Sequence, residues 1–328
     1  MLPDFTQLVK HVKPAVVSVR VREYPTPQVM SDEYSTNPYK GGVFPAPVAG
    51  EWTKVGQGSG FFISADGYIV TNNHVVDNAL EVQVVTDNGQ TLAAKVAGSD
   101  RDTDLALIKV DSGQNFPFVA LAKERPQIGE WVIAMGNPFG LGGTVTAGII
   151  SAEGRDIGAG PYDDYLQIDA PINRGNSGGP TFNLKGEVIG VNTAIISPSG
   201  GFVGIAFDIP ASTVETVVPQ LQKYGYVNRG WLGVQILPLG EGVFVADAEP
   251  ESPAAHAGLK TGDVITAING ESVKSARWLA RRIAAMVPGT EVTLMIVRGS
   301  APDKLTLRLG QTQNKIAKRE SPGRPASN

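Results

Sequence analysis

Gly175-Asn176-Ser177-Gly178-Gly179-Pro180 decides how the rest of this chain is read. A serine set between glycines, in a loop between two apolar strand-like runs, has no role in core packing. It can instead present a hydroxyl and converging backbone N–H groups to a bound molecule. Acyl transfer needs that pair: an oxygen that reaches a carbonyl, and preorganised donors for the oxyanion that forms, which glycines allow at close range. The same G-x-S-x-G spacing occurs in ordinary Gly-Ser turns and in the nucleophile elbow of α/β-hydrolases, so a base must be sought elsewhere in the chain.

The chain holds three histidines, His11, His74 and His256. An elbow requires the histidine after the serine, on a strand-turn-helix frame. Only His256 follows, beside a turn in Ser252-Pro253-Ala254-Ala255-His256-Ala257-Gly258, and the run after Pro180 is strand-like rather than helical. His256 reads as a surface residue, and His11 as the solvent face of a short helix. His74 lies in Val70-Thr71-Asn72-Asn73-His74-Val75-Val76, where an apolar strand gives way to polar residues. Asp104 follows at the mouth of a strand, Asp104-Leu105-Ala106-Leu107-Ile108, with Asp100 and Asp102 as rivals on spacing alone. His, Asp, Ser is the chain order of a chymotrypsin-type triad.

Composition narrows the class. The 328 residues suffice for two domains, and 39 glycines and 23 prolines with 42% hydrophobic residues indicate a β-rich globular protein full of turns. A net charge of −4 without a sustained basic face gives no electrostatic reason to bind nucleic acid. Cysteine is absent, which excludes thiol catalysis, disulfides and cysteine-ligated zinc. No stretch is long and apolar enough to span a bilayer as a helix, and Met1-Leu2-Pro3-Asp4-Phe5 is not a signal peptide.

Along the chain, Phe5, Leu8, Val9 and Val12 recur at helical spacing, and Pro14 ends that helix. Ala15 to Val21 alternates as a strand. Residues from about 24 to 54, rich in Pro, Gly, Tyr and Ser, read as a long surface loop. Two hairpins follow, one around Ala65-Asp66-Gly67 with its second strand leading to His74, one around Asp87-Asn88-Gly89. A second set of strands is expected at Trp131–Met135, Gly148–Ser151, Tyr165–Asp169, Val188–Asn192 and Val203–Phe207. Two antiparallel barrels would place His74 and Asp104 on one and Ser177 on the other, across a cleft. Gly136-Asn137-Pro138-Phe139-Gly140-Leu141-Gly142-Gly143 lacks the Gly-Lys-Ser/Thr ending of a phosphate loop and reads as a turn near that cleft. After a helix at Ala211 to Tyr224, Gly225 to Asn228 marks a boundary. The basic, Ser- and Pro-containing run 311–328 reads as a disordered tail.

Thr71-Asn72-Asn73-His74-Val75, Asp104-Leu105-Ala106-Leu107 and Gly175-Asn176-Ser177-Gly178-Gly179-Pro180, followed by a PDZ-like module, resemble the HtrA (Deg) serine proteases, in particular the bacterial DegP-like branch. The resemblance implies a mainly β fold: a two-barrel chymotrypsin-like protease domain over 1–228, then a PDZ domain over 229–310. It implies His74 as general base, Asp104 as its orienting carboxylate and Ser177 as nucleophile. The oxyanion donors are expected from Gly175, Asn176 and Ser177, chiefly the N–H groups of Gly175 and Ser177. Ile205, Ala206 and Phe207, with the Ser197–Gly201 loop, resemble a primary pocket for small aliphatic side chains. Gly154-Arg155 resembles a sensor loop in which Arg155 relays peptide binding; a solvated arginine in a turn is the alternative.

Arg229-Gly230-Trp231-Leu232-Gly233-Val234 resembles the PDZ loop whose backbone N–H groups grip a peptide carboxylate, at Trp231, Leu232, Gly233 and Val234. Trp278, Leu279, Ile283 and Met286 mark a helix that walls the groove or packs the core. The implied partners are unfolded or misfolded proteins and peptide C-termini, without cofactor or metal. The implied setting is the periplasm, with an export signal removed upstream. The implied assembly is a homotrimer or a multiple of trimers, with Phe5 as a candidate contact. The 24–54 loop either reaches a neighbouring subunit or is a mobile insertion. DegP-like proteins usually carry a second PDZ domain, and this sequence ends too soon to hold one, either as a short family member or as part of a longer chain; cage-type assembly is thereby put in doubt, while a trimer is still expected. A chaperone or peptide-binding scaffold with a latent protease site is the rival to the enzyme.

Overall fold

The computed structural model describes residues 4–23, 54–138, 143–160, 162–173, 175–195, 202–240 and 242–311. The 24–53 stretch, the 197–201 run and the tail from 312 lie outside these residues. The chain divides into two compact units, Met1–Val227 and Asn228–Asn328.

The first unit is built from two closed six-stranded barrels. Strands β1 (Val16–Glu23), β2 (Lys54–Phe62), β3 (Tyr68–Asn72), β4 (Ala79–Val85), β5 (Thr91–Asp100) and β6 (Leu105–Val110) close in the order β1-β2-β3-β6-β5-β4. Hairpin chemistry sets the register: at Asp87-Asn88-Gly89 the Gly89 N–H donates to Thr86 O at 2.9 Å, closing the turn between β4 and β5.

Side chains alternate between two cores. Val17, Val19, Phe62, Ile69, Ala106 and Ile108 fill the barrel interior. Their neighbours Val16, Phe61, Val70, Leu105 and Leu107 point the other way, into a core shared with the second barrel. Strands buried on both faces must read as unbroken apolar runs, and Leu105-Ala106-Leu107-Ile108 does. Each fully buried Val, Leu, Ile or Phe among them contributes about 1.5–3 kcal/mol.

The second barrel comprises β7 (Trp131–Gly136), β8 (Thr144–Arg155), β9 (Tyr165–Ile168), β10 (Pro180–Phe182), β11 (Val188–Ile195) and β12 (Ala206–Pro210), closed in the order β10-β11-β12-β9-β8-β7. It repeats the two-core logic: Val132 and Ala134 face its interior, Ile133 and Met135 the shared core. The last strand starts later than the expected Val203–Phe207, because Gly204 turns the chain at φ 93° before β12 begins.

Helix α1 (Thr6–Val12) lays Phe5, Leu8 and Val9 against the shared core, and the Phe5 ring lies 5.9 Å from that of Trp131. After it come a short 3₁₀ turn at Lys13–Ala15 and, beyond β3, the four-residue helix α2 (Asn73–Val76). Helix α3 (Ala211–Tyr224) buries Val214, Val217, Val218 and Leu221, one stripe at i, i+3, i+4 and i+7, against β5 and β6 of one barrel and β11 and β12 of the other.

In the second unit β14 (Val234–Pro238), β15 (Val243–Ala248), β16 (Val264–Ile268), β18 (Glu291–Arg298) and β19 (Ala301–Arg308) form a sheet in that order. β17 (Glu271–Ser272) pairs on β16, and β13 (Gly230–Trp231) pairs with β20 (Gly310–Gln311). Helices α4 (Pro253–His256) and α5 (Ala276–Ala284) are N-capped by Ser252 and Ser275, whose hydroxyls accept from Ala255 and Trp278 N–H. Leu279 and Ile283 are core residues of this unit and Trp278 packs against them, while Met286 lies past the end of α5. Asp263 is held by Arg298 through Nε and Nη2, both at 2.7 Å, and Arg298 Nη2 also donates to Gly258 O. That pairing holds the Asp263 carboxyl below the usual carboxylate range.

Candidate active site

His74 is presented on α2, one turn beyond β3, so the strand fixes its backbone while the ring stays half exposed. Its Nδ1 lies 2.7 Å from Asp104 Oδ2, and its own N–H donates to Asp104 Oδ1 at 2.9 Å. Facing a carboxylate, Nδ1 carries the proton, which leaves Nε2 as the acceptor in the neutral ring.

Asp104 adopts a left-handed backbone (φ 53°) just ahead of β6. Its carbonyl is held by Asn73 N–H at 2.9 Å and Asn72 Nδ2 at 3.0 Å. The motif around His74 therefore also fixes the aspartate. Of the rival carboxylates, Asp100 is buried and receives the Thr103 N–H and hydroxyl, capping its own turn. A third donor to Asp104 comes from the other barrel: Thr193 Oγ1, on β11, donates to Oδ2 at 2.8 Å. Nothing in the sequence singled out Thr193, because its partner is 89 residues away. Tyr165 joins the same neighbourhood; burial, with the Asp163 and Asp104 carboxylates beside it, pushes its hydroxyl up to about 12.

The Ser177 loop is docked onto the barrel that carries His74. Ser59 N–H donates to Ser177 O at 2.8 Å, and the Ser59 hydroxyl bridges the loop, donating to Gly175 O at 2.6 Å while accepting from Asn137 N–H at 2.8 Å. Gly178 (φ 85°) packs so closely that a Cβ there would lie 2.3 Å from Ser59 O and 2.4 Å from Thr71 Oγ1. Gly58 is pressed likewise between Val75 and Ser177 O, so α2 and the serine loop meet at one point.

The Asn176 N–H is committed to Asn173 O at 3.1 Å, whereas the N–H groups of Gly175 and Ser177 have no acceptor among the described residues. Ser177 Oγ makes no hydrogen bond to His74. Such contacts are often open before substrate binds.

The other candidate residues are placed as follows. Ala206 and Phe207 are buried, Phe207 edge-on to Tyr165 at 6.3 Å, and Ile205 is half-buried. Arg155 is exposed at the end of β8, opposite Tyr165 in register, and its Nε donates to Gln167 Oε1 at 3.0 Å. The Trp231 ring lies against Gly310 and Gly233. Leu232 and Gly233 spend their carbonyls on Ala254 and Glu249 N–H, leaving their own N–H groups without an acceptor among the described residues. Those two donors stand at the head of β14, an edge strand beside α5. His256 is exposed, 3.3 Å from Glu251. Among the described residues no group of three or more histidine and acidic side chains is placed to hold a metal ion, and no helix is long and apolar enough to cross a membrane.

Paired six-stranded barrels with a His–Asp pair and a glycine-bound serine at their junction, followed by a peptide-binding type of sheet module, define a trypsin-like serine protease with an appended PDZ domain. Family comparison agrees: residues 58–191 match the trypsin-like peptidase domain and residues 230–309 the PDZ domain. The chain belongs to the HtrA/DegP-like family of serine endoproteases.

It is 56% identical over 267 residues to a probable periplasmic serine endoprotease DegP-like of Rhizobium meliloti, covering 77% of this chain and 53% of the relative. It is 46% identical over 354 residues to the protein of the same description from Brucella suis, covering 94% of this chain and 69% of that one. The chain thus spans about half to two thirds of the length of these relatives. Among solved structures, the HtrA-type protease AlgW with decapeptide superposes with a TM-score of 0.79 at 35% identity, covering 94% of this chain and 99% of that one. The serine endoprotease from Yersinia pestis gives 0.73 at 33% identity, covering 95% and 99%.

Proposed function

We propose that this protein is an ATP-independent serine endoprotease that degrades unfolded or misfolded proteins in the periplasm, with His74, Asp104 and Ser177 as its triad. The observation that carries the reading is the Asp104 carboxylate, fixed by three donors from both barrels with His74 Nδ1 among them. Ser177 Oγ attacks the scissile carbonyl while His74 Nε2 takes its proton. The imidazolium, stabilised by Asp104, then protonates the leaving amine, and water repeats the cycle on the acyl-enzyme. The free N–H groups of Gly175 and Ser177 receive the oxyanion, each such donor contributing about 3 kcal/mol to the barrier reduction. Asn176, its N–H already engaged, shapes the turn instead.

The PDZ domain takes a peptide C-terminus on the Leu232 and Gly233 N–H groups, with the peptide adding as a strand to β14. Arg155 relays that event, Ile205 borders the primary pocket, and Phe5 with Trp131 contributes to a trimer contact. A second reading, a chaperone with a latent protease site, is favoured by the open Ser177–His74 contact. Casein cleavage by wild type and Ser177→Ala, over a temperature series and with a peptide ending in an apolar residue, separates the two. Peptide- or heat-stimulated cleavage by wild type alone is the expected result. Cleavage that survives Ser177→Ala would refute the nucleophile, and suppression of aggregation by both without cleavage would make the protein a chaperone.

A further inference from the structure

Among the described residues, the interior of the second barrel carries one ionisable group that the triad does not use. Asp208 lies fully buried on β12. Phe207 and Ile209, on either side of it, belong to the core between the barrels, whereas Ala206 belongs to the barrel interior. Asp208 therefore points inward, opposite Asn192 of β11 and Leu166 of β9. Among the described residues, the interior side chains from β7, β8 and β9 do not titrate: Val132, Ala134, Ile150, Leu166 and Ile168 are apolar, and Thr146, opposite Ala134, donates its hydroxyl to Ala134 O at 3.4 Å. The polar ones from β10 and β11 are Thr181 and Asn192. The charged residues at one end of the barrel, Lys123, Glu124, Arg125, Glu153, Asp164 and Glu215, line a small cleft instead. Neither carboxyl oxygen of Asp208 has a hydrogen-bond partner among the described residues.

The hydrogens of its polar neighbours are already spent. Asn192 turns Nδ2 to Met135 O at 3.0 Å, which makes its Oδ1 an acceptor, and that oxygen takes the Thr181 hydroxyl hydrogen at 2.8 Å. Thr181 Oγ1 keeps lone pairs with which to accept. An ionised Asp208 thus finds no donor, while a neutral one can give its proton to Thr181. Burial pushes the carboxyl up to about 7; a Thr181 hydroxyl turned toward Asp208 would oppose that rise, but its hydrogen goes to Asn192 Oδ1 instead.

The chain of polar groups ends at the catalytic loop. The Asn192 main chain clamps that loop from one side, its carbonyl accepting from Gly178 N–H at 2.8 Å and its N–H donating to Gly179 O at 2.9 Å. The next residue, Thr193, holds Asp104. β10, which carries Thr181, begins at Pro180, directly after the loop.

We propose that Asp208 is a positioning residue that works as a neutral carboxylic acid, donating to Thr181 and through Asn192 holding the serine loop, and that loss of its proton loosens the loop. The kinetic part rests on the proteolytic reading; the charge state does not. Asp208→Asn replaces the acid by a permanent amide donor of the same size. Melting temperature, kcat and KM on a short peptide, and the rate of Ser177 labelling by a fluorophosphonate are followed from about pH 4 to about pH 9.

Wild-type melting falls between about pH 4 and about pH 7 relative to the variant and runs parallel above, because a raised acid pKa withdraws stability as pH rises from the ordinary to the shifted value. Wild-type kcat falls about tenfold relative to Asp208→Asn by about pH 8.5, with KM alike. Thr181→Val, which removes the acceptor while keeping the shape, shows the low alkaline kcat at every pH, and Thr181→Ser restores the wild-type profile. Superimposable melting and kcat profiles for wild type and Asp208→Asn would overturn the inference. So would a Thr181→Val profile like wild type, should Asp208→Asn fail to fold. A protein that is neither labelled nor active at any pH would refute the proteolytic reading and the kinetic part together, while the melting comparison would still decide the charge state of Asp208.

Discussion

Thr193→Val tests whether the second barrel tunes Asp104, the proposed orienting carboxylate of the first. The substitution keeps a β-branched side chain of the same shape on β11 and deletes one of the three hydrogen bonds that Asp104 accepts. A hydrogen bond to an ionised group contributes about 1.5–3 kcal/mol. If the bond is needed to hold Asp104 toward His74 in the transition state, the loss appears in kcat as about 10- to 150-fold, with KM little changed. Complete loss of the orienting carboxylate, Asp104→Asn, sets the ceiling at about four orders of magnitude. Single-turnover cleavage of a peptide ester and fluorophosphonate labelling of Ser177 read the effect without interference from product release. Thr193→Ser, which restores the donor, recovers most of the rate. A Thr193→Val enzyme within about twofold of wild type, at unchanged melting temperature, would show that the two bonds from His74 suffice. The inter-barrel argument would then be wrong.

Gly178→Ala should abolish Ser177 labelling and lower the melting temperature, since the new methyl meets backbone and a buried hydroxyl at 2.3 and 2.4 Å and the φ of 85° is left-handed; retention of labelling would mean that the loop yields at little cost. Arg298→Ala strips the partner from Asp263, whose side chain is 2% exposed, and should lower the melting temperature of the PDZ unit, by less than for a fully buried pair because Arg298 is itself 39% exposed. A PDZ unit that melts unchanged would refute that. The same pair makes the unit acid-sensitive: a lowered carboxyl pKa gives stability that is present above the ordinary value of 3.8 and lost as pH falls below it, and Arg298→Ala should flatten that acid limb.

Much of the fold and the outline of the candidate site were legible in the sequence because they rest on local chemistry. Asp87-Asn88-Gly89 can hardly do other than turn, alternating valines from Val16 to Val21 define two faces, and Leu105-Ala106-Leu107-Ile108 announces a strand buried on both. The serine, its glycines and the histidine segment sit in short motifs whose residue types are dictated by what their own backbone must do. Asp104 was separable from Asp100 and Asp102 only by family likeness, since spacing cannot say which carboxylate meets an imidazole.

What tertiary structure alone decided depends on pairing between distant segments. Thr193 reaches Asp104 across the barrel junction, and a threonine on a strand carries no mark of its partner. The role of the Asn176 N–H turned on a single turn bond to Asn173 O. Asp208 stands beside Ile205-Ala206-Phe207, yet whether it faces water or the barrel interior follows from where β12 starts and from the register shift between Asn192 and Ala194, and a one-residue slip would reverse it. Local sequence fixes which residues can turn, pair and react; only closure of the barrels fixes which of them meet.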